Sequence, residues 1–181
     1  MENTLLKSAA APRNKVQAIV MTALFAALAC VATLVIHLPS PTGGYLNLGD
    51  TVVLLGAYLL GPWYGAVAGG VGSALADLIS GYAAYAPATL LIKAMMAIVA
   101  GLVWRAVREK QGGTLLAGVL GEIPMVVGYW LYDALLLRSL IGGAAGIPAN
   151  LVQAAVGIAA SALLALSLRK SAYVRRKFPL L

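Results

Sequence analysis

Val16-Gln17-Ala18-Ile19-Val20-Met21-Thr22-Ala23-Leu24-Phe25-Ala26-Ala27-Leu28-Ala29-Cys30-Val31-Ala32-Thr33-Leu34-Val35-Ile36 runs for 21 residues without one charged side chain, and its reading decides the fold. A hydrocarbon core about 30 Å thick is crossed by roughly 20 apolar residues of helix. Lipid offers no partners to backbone N–H and C=O groups, so a spanning segment is either a helix or a strand of a closed barrel. This run is rich in Ala, Leu and Val and lacks the period-two alternation of a barrel strand, which predicts a helix. It is longer than a signal-peptide core, and no small-residue cleavage site follows it before the next apolar segment, so it is expected to be retained.

The rest of the chain reads the same way. Of 181 residues, 61% are hydrophobic and 10% charged, with a mean hydropathy of +0.90. A water-soluble fold would have too little polar surface to cover itself. The length holds roughly five to seven spans and no appreciable soluble domain. The expectation is an all-α integral membrane protein, one domain over residues 1–181, with a bundle of about six transmembrane helices at 16–36, 46–60, 63–80, 87–104, 114–137 and 149–168. Gly61-Pro62 divides the second from the third, because proline cannot continue a helix and suits the start of the next. No tandem or inverted repeat is evident.

Charge sets the expected orientation. Lys7, Arg13 and Lys15 precede the first span, Arg105, Arg108 and Lys110 follow the fourth, and Arg169, Lys170, Arg175, Arg176 and Lys177 follow the sixth: eleven of the thirteen basic residues. With six spans these clusters share one face, and the positive-inside rule makes it, and both termini, cytoplasmic. The same distribution explains the net charge of +7 without nucleic acid. The opposite loops, about 37–45, 81–86 and 138–148, are rich in Gly, Pro and Tyr; such loops either cover a site or merely connect helices. The lone Cys30 argues for neither a disulfide nor a metal centre.

Ionisable groups within apolar segments are few: Asp50, Asp77, Lys93, Glu122 and Asp133. Each costs about 2.5 to 3.5 kcal/mol at a helix centre, so each needs a partner or a wet cavity. Asp77 and Asp133 fall one turn below the outer ends of the third and fifth spans, Lys93 about two turns below that of the fourth, and Asn150 and Gln153 open the sixth. Tyr82, Tyr85, Tyr129, Trp130 and Tyr132 lie nearby. Polar groups thus converge on the outer half of the bundle, as a small-molecule site requires. The alternative is structural: Lys93 pairs with Asp77 or Asp133, and the aromatics form an interfacial belt. Asp50 is expected to cap the second helix, and Glu122 to hydrogen-bond near the backbone freed by Pro124.

Enzymatic signatures are missing. The sole histidine, His37, borders a loop, there is no HExxH, GxSxG or GxxxxGK[ST], and no acidic cluster suits a metal. No catalytic residue, metal or cofactor is expected in this chain. A self-sufficient proton-coupled carrier using Lys93, Asp77 and Asp133 is the rival reading, but such carriers place their sites at mid-membrane. Small residues mark close helix contacts: Ala23 and Ala27 four apart in the first span, Ala26 and Cys30 repeating the interval, and Gly65, Gly69, Gly72 and Ser73 in the third. Each face packs either within the bundle or against a partner.

Tyr45-Leu46-Asn47-Leu48-Gly49-Asp50 followed by Leu60-Gly61-Pro62-Trp63-Tyr64-Gly65 and Gly69-Gly70-Val71-Gly72-Ser73-Ala74-Leu75-Ala76-Asp77, then Tyr85-Ala86-Pro87-Ala88-Thr89-Leu90-Leu91-Ile92-Lys93 and Gly121-Glu122-Ile123-Pro124-Met125-Val126-Val127-Gly128-Tyr129-Trp130-Leu131-Tyr132-Asp133, resembles the substrate-binding S components of energy-coupling factor (ECF) transporters, especially the riboflavin-named group. Trp130 and Asp133 stand where that pattern usually has Phe and Glu. The resemblance implies a multi-pass plasma-membrane protein that binds a small water-soluble vitamin or precursor, of the riboflavin, pyridoxine-like or thiamine-precursor class, near the outer face. It also implies a surface at Ala23 and Ala27 that docks a transmembrane coupling subunit, driven by two ATPase subunits that hydrolyse the ATP. The candidate substrate-binding residues are then Asn47, Asp77, Tyr85, Thr89, Lys93, Tyr129, Asp133, Asn150 and Gln153. Few aromatics and one cation favour a small hydroxylated heterocycle over a wide flavin.

Overall fold

The computed structural model describes residues 15–36, 38–40 and 42–178; Lys7, Arg13, His37 and Pro41 lie outside the described residues. The chain is mostly helical: α1 Lys15–Val35, α2 Gly49–Leu60, α3 Pro62–Ile79, α4 Ala86–Val107, α5 Gly113–Leu136, α6 Leu140–Ala144, α7 Ile147–Arg169 and α8 Ala172–Lys177. Four helical stretches, Lys15–Val35, Ala86–Val107, Gly113–Leu136 and Leu140–Arg169, are long and apolar enough to cross a membrane. The exterior carries exposed Val, Leu and Ile, among them Ile19, Leu91, Leu135 and Leu163, whereas Asp50, Ser73, Lys93, Glu122 and Ser161 are buried. Such an arrangement is unfavourable in water and suits lipid.

At 12 residues α2 is only about 18 Å long, and it lies at the centre of the bundle, packed on α1, α3, α4 and α7. It begins three residues later than the sequence suggested, because Tyr45 and Leu46 belong to a strand. In the α1–α2 connection β1 Leu38–Pro39 pairs antiparallel with β2 Tyr45–Leu46. The turn between them closes through Ser40 N–H donating to the Gly44 carbonyl at 2.8 Å. Gly61, with φ 88°, reverses the chain between α2 and α3, a conformation that favours glycine, and Pro62 starts α3. The α5–α7 connection contains the short α6, whose N-cap Ser139 hydroxyl accepts from Gly142 N–H at 3.0 Å.

Small residues let the backbones approach. A Cβ at Gly65 would stand 2.8 Å from Ala57 Cα of α2, and one at Gly72 would stand 2.3 Å from the Ala26 carbonyl oxygen of α1. The two small-residue spacings of α1 therefore part company. The Ala26 side faces α3 inside the bundle, while Ala23 and Ala27 are exposed. Since the atom opposite Gly72 is backbone and cannot swing away, Gly72→Val is expected to overpack the α1–α3 contact and cost about 1 to 3 kcal/mol. A lower unfolding temperature of the detergent-solubilised variant checks this; an unchanged one would mean the helices do not meet there.

Candidate functional site

One end of the bundle collects the C-terminal end of α1, the hairpin, the N-termini of α2, α4 and α7, and the C-terminal halves of α3 and α5. Between them lies a cavity whose lining includes all nine candidate residues: Asn47 before α2, Asp77 of α3, Tyr85, Thr89 and Lys93 at the start of α4, Tyr129 and Asp133 of α5, and Asn150 and Gln153 of α7. Thr33, Ser73 and the hairpin residues Ser40, Thr42, Gly44 and Tyr45 complete it. Its empty space is about 470 Å³, part of which is the open mouth.

The floor is an ion pair. Lys93 Nζ bonds Asp50 Oδ1, with both side chains almost fully buried. Gln153 Nε2 donates to Asp50 Oδ2 at 2.6 Å, and its Oε1 accepts from Asn47 N–H at 2.8 Å. Asn47 Oδ1 in turn accepts from Gly49 N–H at 2.8 Å. One chain of polar contacts thereby ties α4, α2, α7 and the hairpin connection, and every member is buried or half-buried, where an unmet polar group is costly. The ammonium also lies 5.4 Å from the Tyr129 ring centroid, within cation–π range.

The walls pair phenols with carboxylates. Tyr45 OH donates to Asp77 Oδ1 at 2.6 Å, and Tyr85 OH lies 2.8 Å from Asp133 Oδ1 and 3.2 Å from the Thr42 carbonyl. Thr89 Oγ1 and Tyr129 OH share a hydrogen bond of 2.9 Å. In the connections outside the long helices, burial raises the Tyr45 and Tyr85 hydroxyls above the usual phenol range, and the neighbouring Asp77 and Asp133 raise them further. Both therefore keep their protons at neutral pH and remain donors. The buried hydroxyls of Thr33 and Ser73, which also line the cavity, have no hydrogen-bond partner among the described residues.

Compared with known proteins, residues 13–170 match the family model described as ECF-type riboflavin transporter, S component. The chain belongs to this family. It is also 43% identical over 130 residues to a Pyrococcus woesei protein described as uncharacterised, in the gap 3′ region; the match covers 71% of this chain and 85% of that one. Among solved structures it resembles the S component of a bacterial ECF transporter, with a TM-score of 0.64 and 20% identity over 87% of this chain and 98% of that chain. That likeness shows a shared fold. The protein is accordingly a membrane-embedded, substrate-binding subunit of a transporter, and its family is one of transport subunits rather than enzymes.

One structural alternative and two expectations are corrected in this S component. Lys93 pairs with Asp50, not with Asp77 or Asp133, because α2 packs against α4 and brings Asp50 to it. Asp50 does not cap α2: Leu48 holds the N-cap position without a side-chain bond. Glu122 makes no side-chain hydrogen bond among the described residues despite Pro124 in its helix. A Cβ at Gly157 would lie 3.0 Å from both Glu122 Oε1 and Asp50 Cβ, so Glu122 sits behind the ion pair. Of the aromatics, Trp130 Nε1 donates to the Leu140 carbonyl and Tyr132 OH to the Ala84 carbonyl, so both brace loops. Sequence reasoning missed Tyr45, Thr33 and Ser73. The glycine-flanked position of Tyr45 in the outer loop was the available signal; for two hydroxyls in apolar helices there was none.

Proposed function

We propose that this protein is the capture subunit of an ATP-driven vitamin importer of the plasma membrane, binding a small water-soluble vitamin or precursor of the riboflavin, pyridoxine-like or thiamine-precursor class. The observation that carries this reading is the cavity itself: nine polar and aromatic residues from four helices and the hairpin connection meet around one opening. Arg105, Arg108, Lys110, Arg169 and Lys170 stand at the other ends of α4, α5 and α7. By the positive-inside rule the cavity then opens outward and both termini are cytoplasmic, with α1, α2, α3, α4, α5 and α7 as six spans of one S-component-like domain.

In this reading Asn150, Thr33, Ser73 and the two carboxylates orient the solute, Tyr129 and Tyr85 stack on it, and the hairpin covers it. Delivery inward passes through a transmembrane coupling subunit that packs on Ala23 and Ala27, and two partner ATPases hydrolyse the ATP. Uptake of the cognate solute by cells carrying the protein and its partners is expected to survive collapse of the proton gradient and to stop on ATP depletion. The opposite pattern would favour a proton-coupled carrier. Native mass spectrometry of the purified protein, read for a co-purified small molecule, identifies the cargo directly.

A further inference from the structure

Eight of the side chains lining the cavity carry a hydroxyl, and among the described residues all but two of these hydroxyls are bonded within the protein. Ser40 and Thr42 lie 3.2 Å apart in the hairpin turn, Tyr45 and Tyr85 reach carboxylates, and Thr89 and Tyr129 bond each other. The exceptions are Thr33 of α1 and Ser73 of α3, 2% and 1% exposed. A helical Thr or Ser can return its hydroxyl to a carbonyl one turn back, as Thr22 of α1 does to Ala18 at 2.8 Å; Thr33 and Ser73 do not. An unmet buried hydroxyl is costly, and valine or alanine in its place would avoid that cost. The fold nevertheless makes room for the Thr33 hydroxyl. A Cβ at Gly49 would stand 2.2 Å from Thr33 Oγ1 and 2.8 Å from Asn47 Oδ1, so both oxygens crowd the start of α2 at a point that glycine leaves open.

We propose that Thr33 and Ser73 form a subsite for the hydroxyl-bearing arm of the cargo, a hydroxymethyl or polyol group whose oxygens supply the bonds these two side chains lack. The proposal rests on the vitamin-capture reading above and names the group that the site selects. Each side-chain hydroxyl both donates and accepts, which matches a cargo hydroxyl. Neither can neutralise a charge, and a buried charge needs an opposite one. A cargo with a methyl group in that place leaves both hydroxyls unmet, and a site built to bond a hydroxyl rejects an analogue that lacks it.

The test is calorimetric titration of the purified protein with riboflavin, pyridoxine and an amino-hydroxymethylpyrimidine, each beside analogues with a methyl group in place of a hydroxylated one: lumiflavin, the two deoxypyridoxines and the methyl counterpart of the pyrimidine. The tightest hydroxylated probe is expected to exceed its weakest analogue by about tenfold or more. In Thr33→Val, and independently in Ser73→Ala, affinity for that probe should fall about threefold to tenfold while affinity for the analogue holds. The empty variants should unfold no lower than wild type, because an unmet buried hydroxyl has gone, and Thr33→Ser, which retains the hydroxyl, should retain the margin. Wild-type affinity in either Thr33→Val or Ser73→Ala, a loss that the analogue shares, or a lowered unfolding temperature overturns the subsite and leaves vitamin capture standing. Failure of all three hydroxylated probes to bind folded wild-type protein overturns both.

Discussion

Lys93→Met is expected to destabilise the protein by about 3 to 5 kcal/mol, because it strands a buried carboxylate. Lys93 and Asp50 are 1% and 0% exposed, so neither can reach water when the other is removed. Gln153 would still donate to Asp50 Oδ2, but a neutral amide does not replace an ammonium. The effect should spread along the polar chain to Asn47 and loosen the hairpin at the cavity mouth, so ligand binding falls with stability. The double variant Asp50→Asn/Lys93→Met separates charge from packing: with no uncompensated carboxylate, most of the lost stability should return. Thermal unfolding in detergent reads both variants. A Lys93→Met protein that unfolds at the wild-type temperature would show that the pair does not hold the floor of the site.

The second large effect concerns the exposed face of α1. Ala23→Trp and Ala27→Trp are expected to abolish uptake and co-purification with the coupling subunit, while the isolated protein keeps near-wild-type ligand affinity and unfolding temperature. Residues four apart share a helix face, and alanine there lets another backbone approach closely. Both positions are exposed, so an indole projects outward instead of into the core. Ala26 is the contrasting site: its carbonyl stands against Gly72, so Ala26→Trp should depress binding and stability together by overpacking the α1–α3 contact. Stable Ala23→Trp and Ala27→Trp proteins that still transport would remove this face as a docking surface.

The sequence by itself determined what lipid physics dictates locally. An uncharged run such as 16–36 must close its own backbone hydrogen bonds, so its helical state follows without knowledge of any neighbour. Gly61-Pro62 is equally local: the break between α2 and α3 is written in the φ that Gly61 alone tolerates readily and in the N–H that Pro62 lacks. Candidate site residues were legible for a related reason, since a polar or charged group within an apolar segment is expensive and demands an explanation wherever the chain goes. The nine residues singled out on that ground and by family resemblance line one cavity.

Only the tertiary structure decided who meets whom. Lys93 has three carboxylates at comparable depth, and the choice of Asp50 depends on α2 packing against α4 from 43 residues away in sequence. The same holds for the two small faces of α1. They have like composition and spacing, and one is inside and the other outside because α1 packs on α2 and α3 with Ala26 against Gly72. The hairpin that delivers Tyr45 to Asp77 has strands of two residues each, too short to show a period. Spans follow from an energy each segment settles alone with its solvent; ion pairs, packing faces and the site's charge balance are sums over neighbours, and neighbours exist only once the bundle has formed.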